Sequence, residues 1–287
     1  MLFSINNNTY NSNFNTKSPI SPAVGIMTNG IIIAGYGTRK GNLEEVLETQ
    51  AKRLECRGWD HVKVGYFRVS SPTIPEAFEA LVDEGVDRVL VLPYYIADGT
   101  VTKELIPEKL GMGTKDMAEV ECKGKKVTIQ IASSFNTDPA LTRIICDKIA
   151  DVGGDMDCGI LVLGHGTRYK SLYNERIIKL NADRLRWIGY KHVIHSFNEF
   201  CEPTIKDALD YLEKEGVKRI IAIPLFIAMG LHLGDEIPEQ IGIPSYSDGG
   251  EITVNGRKIS VSYLRPVEAD PRLTDILDKT ARDYLPQ

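Results

Sequence analysis

One stretch of the chain, PTIPEAFEALVDEGVDRVLVLPYYIADG from Pro72, returns as PTIKDALDYLEKEGVKRIIAIPLFIAMG from Pro203, 131 residues later. Upstream of each copy stands a glycine loop, GYGTRK from Gly35 and GHGTRY from Gly164, 129 residues apart. Downstream, CKGKKVTIQIASSFNTDPALTRIICDKIADV and VNGRKISVSYLRPVEADPRLTDILDKTARDYL match with an offset of 132. Register held over this length makes the chain a duplicated unit of about 130 residues, the size of one domain. We divide it into a tail, 1–27, a first half, 28–153, and a second half, 154–287.

Each unit alternates strand and helix patterns. In the second copy CGILVLG is an apolar run ending at glycines, which suits a buried parallel strand. A helical period follows from Thr167 and stops at Gly189. KHVIHSFNEF reads as a second strand. PTIKDALDYLEKEGV reads as a second helix with Pro at its start and Gly after its end. RIIAIPLFIA is a third strand, GDEIPEQIG opens a short helix, and Asn255-Gly256 marks a tight hairpin turn or strand junction. A last helix spans DPRLTDILDKTARDYL. The expected fold is α/β, with two similar domains built on parallel sheets that face each other across a cleft.

Composition narrows what such a cleft can hold. The 287 residues are 43% hydrophobic and 25% charged, enough for two real cores. The longest apolar run, Ile220 to Leu231, is broken by Pro224 and Gly230, so no membrane span is expected. The net charge of −5 gives no reason to expect nucleic acid. Five cysteines, Cys56, Cys122, Cys146, Cys158 and Cys201, stand singly, which predicts reduced thiols and a cytoplasmic protein. The opening, rich in Asn, Ser and Thr, lacks the apolar core of a secretory signal and reads as a disordered tail.

An internal duplicate acts as a control, because a residue present in both copies is explained by architecture. His192 faces His61, Thr167 and Arg168 face Thr38 and Arg39, and Asp235 faces Glu104. His195, opposite Val64, reads as a tolerated strand residue. Three differences stand out together: His165, Glu199 and His232 occupy the positions of Tyr36, Arg68 and Val101. His165 follows the first strand, Glu199 lies at the end of the second and His232 follows the third, so all three stand on the carboxyl edge where open parallel sheets bind ligands. Two imidazoles and a carboxylate suit a divalent first-row metal and leave coordination positions open. A lone GHG is also compatible with a generic turn or a phosphate cradle. No GxSxG, GxGxxG or GxxxxGKS pattern supports serine-nucleophile or nucleotide chemistry.

GHGTR, FNEFCEPTI and IPLFIAMGLHLGDEIP, in this order, resemble the class II tetrapyrrole chelatases of the CbiX type, sirohydrochlorin cobaltochelatases. The resemblance runs from about Gly30 to the C-terminus. It implies two Rossmann-like halves enclosing a cleft, with Co²⁺ inserted into sirohydrochlorin in cobalamin synthesis. In relatives the ion is nickel or iron. A non-catalytic tetrapyrrole or metal carrier is the alternative of another class.

On that resemblance His165 and His232 are metal ligands and proton acceptors, and Glu199 is the third ligand or base. Glu236, opposite Leu105, is either an acid beside them or a first-turn helix charge. The metal is a substrate, and no permanently bound cofactor is implied. Sirohydrochlorin carries several carboxylates, for which Arg39, Lys40, Lys103, Arg168 and the adjoining Thr167 are candidate partners. The first half lacks the triad and becomes the opposite wall of the cleft. The assembly is then a monomer with an internal pseudo-dimer, or a homodimer of such chains.

Overall fold

The computed structural model describes residues 27–168 and 173–285, so the tail expected over 1–27 lies outside the described residues except for Met27. The first half runs β1 (Asn29–Gly35), α1 (Leu43–Glu55), β2 (Val62–Tyr66), α2 (Ile74–Asp83) and β3 (Arg88–Pro93). One π-helical turn (Val101–Leu105) leads into α3 (Ile106–Lys109), followed by β4 (Met117–Cys122), β5 (Lys125–Ile131) and α4 (Pro139–Asp151). The second half repeats the order: β6 (Gly159–Gly164), α5 (Tyr173–Ile188), β7 (His192–Phe197), α6 (Ile205–Lys214) and β8 (Arg219–Pro224). A second π-helical turn (His232–Glu236) precedes α7 (Ile237–Ile241), β9 (Gly249–Val254), β10 (Arg257–Tyr263) and α8 (Pro271–Tyr284).

The strand orders are β2-β1-β3-β5-β4 and β7-β6-β8-β10-β9, the same topology twice. Four strands of each sheet are parallel, and the fifth, β4 or β9, pairs antiparallel at one edge. The antiparallel edge strand is the one joined through the hairpin turn that Asn255-Gly256 announces. A two-residue turn, Asn255-Gly256 or Lys123-Gly124, holds both residues at positive φ, the geometry that joins neighbouring antiparallel strands.

Local chemistry sets the helix boundaries. Thr204 caps α6 by accepting from the Asp207 N–H at 3.1 Å while Asp207 accepts from the Thr204 N–H at 3.0 Å. Pro203 therefore lies before the cap, outside the helix it announces, and Gly216 takes a positive φ beyond the helix end. Asp138 and Asp270 cap α4 and α8 by accepting from the N–H groups of Ala140 and Arg272, each followed by a proline at the first helical position.

Packing departs from the linear order of the units. α8, at the end of the second half, packs on α1 and β3 of the first, while α4 of the first half packs on α5 of the second. The exchange is fixed by two equivalent buried pairs: Thr274 donates to Gln50 Oε1, and Thr142 donates to Asn181 Oδ1 at 2.7 Å. One face of each sheet, with α1, α4, α5 and α8, forms a single apolar core shared by both halves. The other faces are covered separately, by α2 and α3 in one half and α6 and α7 in the other.

Candidate metal centre

β6 ends at Gly164 and delivers His165; Glu199 stands two residues beyond β7; His232 opens the π-helical turn after β8. One donor atom from each of His165, Glu199 and His232 lies within 4.8 Å of the others. The His165 Nε2 to Glu199 Oε1 distance is 3.6 Å, and the two imidazole rings meet edge to face with centroids 4.8 Å apart. All three side chains are partly exposed, so solvent and small ions reach them.

The backbone explains why the loop is spelled with glycines. Gly166 holds φ at +88°, and a Cβ there would stand 1.7 Å from the Glu199 carbonyl oxygen; Gly37 meets Arg68 in the same way at 1.8 Å. The loops are joined by the Glu199 N–H donating to the His165 carbonyl at 3.1 Å. The second glycine thus serves the close approach of two loops, which accounts for it without a phosphate. Beyond Glu199 the chain reverses in a γ-turn, with Phe200 at φ 64° and the Cys201 N–H donating to the Glu199 carbonyl at 2.9 Å. This strained turn fixes where the Glu199 side chain leaves the backbone.

Outer contacts orient both imidazoles. His165 Nδ1 lies 3.0 Å from the Gly166 carbonyl oxygen, which can only accept, so Nδ1 carries the proton and Nε2 keeps its lone pair. His232 Nδ1 donates to Glu236 Oε2 at 2.5 Å, again leaving Nε2 as the free donor atom. That hydrogen bond holds the Glu236 carboxyl below the usual carboxylate range, against a smaller opposing effect of burial. Glu236 therefore touches His232 and stays outside the group of three.

Sequence reasoning missed two members of this outer layer. Asn198, buried, donates to Glu236 Oε2 at 3.4 Å and is itself held by Gln240 Nε2 donating to its Oδ1 at 2.8 Å. Their counterparts are Phe67 and Lys109, so the comparison of the copies that marked the triad also separates these positions.

The two histidines of the triad line a cleft of about 650 Å³ between the halves, within the roughly 300–1,000 Å³ of small-molecule sites. His165, Thr167 and His232 line it from one side, and Tyr36, Arg68, Tyr95 and Val101 from the other. Of the expected carboxylate partners, only Thr167 belongs to this wall. Arg39 and Lys40 are exposed on the loop after β1. Lys103 sits between Asp98 at 3.7 Å and Asp116 at 3.6 Å, and Arg168 stacks over the Phe200 ring at 4.3 Å. His195 is half-buried on β7, where burial lowers its pKa. All five cysteines are unpaired, and no helix among the described residues is long and apolar enough to cross a membrane.

Known proteins resemble this chain in sequence and in fold. A sirohydrochlorin cobaltochelatase of Methanococcoides burtonii is 33% identical over 128 residues, 44% of this chain and 96% of its own length. A probable sirohydrochlorin cobaltochelatase of Halobacterium salinarum is 24% identical over 281 residues, covering 88% of this chain and 90% of its own. The solved structure of SirB from Bacillus subtilis with Fe³⁺ shares the fold, with a TM-score of 0.67 at 19% identity over 90% of this chain and 95% of that one. The CbiX family model matches twice, at residues 30–152 and 159–284, once on each copy of the repeat. The chain is a duplicated member of the CbiX family.

Proposed function

We propose that this chain inserts a divalent metal ion, cobalt, into sirohydrochlorin, releasing two protons, as a step of cobalamin synthesis. The observation that carries the reading is the convergence of His165, Glu199 and His232, with no equivalent group in the first half among the described residues, at a site whose two histidines line the cleft. The names of the Methanococcoides and Halobacterium relatives support cobalt; the Fe³⁺ of the Bacillus structure makes iron the closest competitor. Five unpaired cysteines support a cytoplasmic location.

Insertion exchanges two pyrrole N–H bonds for bonds to the metal, so the site must hold an ion loosely and accept protons. On this reading His165 Nε2, His232 Nε2 and a Glu199 oxygen take the ion from water, with open positions toward the cleft. As the macrocycle nitrogens displace them, imidazole and carboxylate are the groups that receive the protons near neutral pH. Glu236 and the Gly166 carbonyl keep the imidazole lone pairs aimed at the cleft. The half 28–153 forms the opposite wall, giving one active site per chain.

Purified protein mixed with sirohydrochlorin and Co²⁺, Ni²⁺ or Fe²⁺ tests the reading through the change in the visible spectrum of the macrocycle. The reading expects acceleration over the uncatalysed rate, greatest with Co²⁺. Binding of the macrocycle without any acceleration identifies a carrier instead.

A further inference from the structure

The first half places a different set of side chains on and behind its wall of the cleft, with Tyr36, Arg68 and Tyr95 lining it. Where the second half has His165, Asn198, Glu199, Phe226 and Gln240, the first has Tyr36, Phe67, Arg68, Tyr95 and Lys109. These residues form a cationic and aromatic stack: the Arg68 guanidinium lies 4.9 Å from the Tyr36 ring centroid and 5.0 Å from that of Phe67. The Lys109 ammonium stands 5.1 Å over the same Phe67 ring. Arg68 is exposed on the cleft wall, and no hydrogen bond or salt bridge engages its guanidinium among the described residues.

Beside it Tyr95, also on the wall, has a hydroxyl that is cut off from solvent and without a hydrogen-bond partner among the described residues. Burial holds this phenol far above its ordinary pKa; Tyr36 adds to the shift and Arg68 opposes it, so the group remains an O–H donor. A buried hydroxyl left without a partner is costly unless a ligand supplies one. The contacts with the two rings engage none of the guanidinium N–H groups in a hydrogen bond, and these are the groups that recognise carboxylates in a forked geometry. Its positive charge also repels a free metal ion, which separates the two walls by ligand type.

We propose that Arg68 and the Tyr95 hydroxyl form a carboxylate subsite opposite His165, Glu199 and His232, taking one peripheral carboxylate of the macrocycle. The subsite fixes which edge of the ring enters the cleft, and so which face meets the metal. This rests on the chelatase reading for the identity of the ligand.

The test is equilibrium binding of sirohydrochlorin without metal, followed by absorbance, which is independent of turnover. Arg68→Gln is expected to weaken binding about ten- to a hundredfold, the loss typical of a charged hydrogen bond. Arg68→Lys should recover part of the loss, and Tyr95→Phe, a substitution the second half already carries at Phe226, should weaken binding severalfold. The fully methylated ester of sirohydrochlorin should bind the wild-type and Arg68→Gln proteins equally. An unchanged dissociation constant for Arg68→Gln overturns the subsite. Wild-type protein that binds the macrocycle but inserts no metal overturns the chelatase reading while leaving the subsite standing. Failure of the wild type to bind sirohydrochlorin overturns both.

Discussion

The backbone of Gly166 lies directly against the carbonyl oxygen of Glu199, so the loop that carries one donor and the turn that carries another are packed backbone against backbone. An alanine at 166 combines a positive φ with a clash against backbone that cannot rotate away. Gly166→Ala is expected to cost about 2 kcal/mol or more and to abolish Co²⁺ binding. Gly37→Ala, with the equivalent clash against Arg68, should cost a similar amount while metal affinity survives. Denaturant titration and calorimetry with Co²⁺ separate the two outcomes.

Removing a donor and removing its support should differ in degree. His165→Ala and His232→Ala are expected to lose metal insertion by more than about a hundredfold, because each removes a ligand. Glu236→Gln, which keeps the side-chain shape but weakens the hydrogen bond to His232 Nδ1, should lower Co²⁺ affinity about 10- to 100-fold. His192→Gln, on the far end of β7 and paired with Glu215, should leave insertion at the wild-type rate. Loss of activity in that control would point to a site other than the one described.

The alternation of strands and helices was legible because buried parallel strands are written as short apolar runs and their helices end in glycine. The triad was legible because the chain contains its own comparison: Tyr36, Arg68 and Val101 stand where ligands would be. The exchange of α4 and α8 was not, since an amphipathic helix carries the same pattern whichever half its apolar face meets. The edge strand β9 was announced only by the Asn255-Gly256 turn that follows it; its alternating, half-exposed residues and its start at Gly249-Gly250 left its extent unmarked. Asn198 and Gln240 differ between the copies as clearly as the triad does. Their amides carry no metal-ligand signature, so only their contacts to Glu236 and to each other reveal a role. Arg68 read in sequence as a lost ligand; its stack on Tyr36 makes it a feature of the opposite wall.

Acid should release the first half at Asp98. This buried carboxylate accepts from the Ser134 N–H at 2.8 Å and from Asn136 Nδ2 at 2.9 Å, tying the loop after β3 to the loop after β5. Burial alone would raise its pKa; the hydrogen bonds, with the charge of Lys103, outweigh burial and bring it below 3.8. A carboxyl whose folded pKa is depressed stabilises the fold above its unfolded pKa, and loses that contribution as pH falls through the folded value. Asp98→Asn is therefore expected to cost about 2 kcal/mol at neutral pH. The difference from wild type should shrink below about pH 4. Urea denaturation of both proteins across that range checks the sign: a gap that widened toward acid would contradict it.

The crosswise helices predict how the halves unfold. Thr274, on α8, and Gln50, on α1, are both fully buried, and Gln50 also donates to the Tyr94 hydroxyl at 2.8 Å. Thr274→Val keeps the shape of the side chain but leaves Gln50 Oε1 without its donor, at a cost of about 1–3 kcal/mol. Thr142→Val does the same to Asn181 in the equivalent pair. Because each of these helices packs on the other half's elements and all join one core, either substitution should lower the midpoint of a single cooperative transition. Two independent halves would behave otherwise, with two transitions of which each substitution moved only one. Denaturation followed at Trp59, in the first half and hydrogen-bonded to Asp278 of α8, and at Trp187, exposed on α5 of the second, distinguishes the cases. Coincident transitions at the two tryptophans are the expected result.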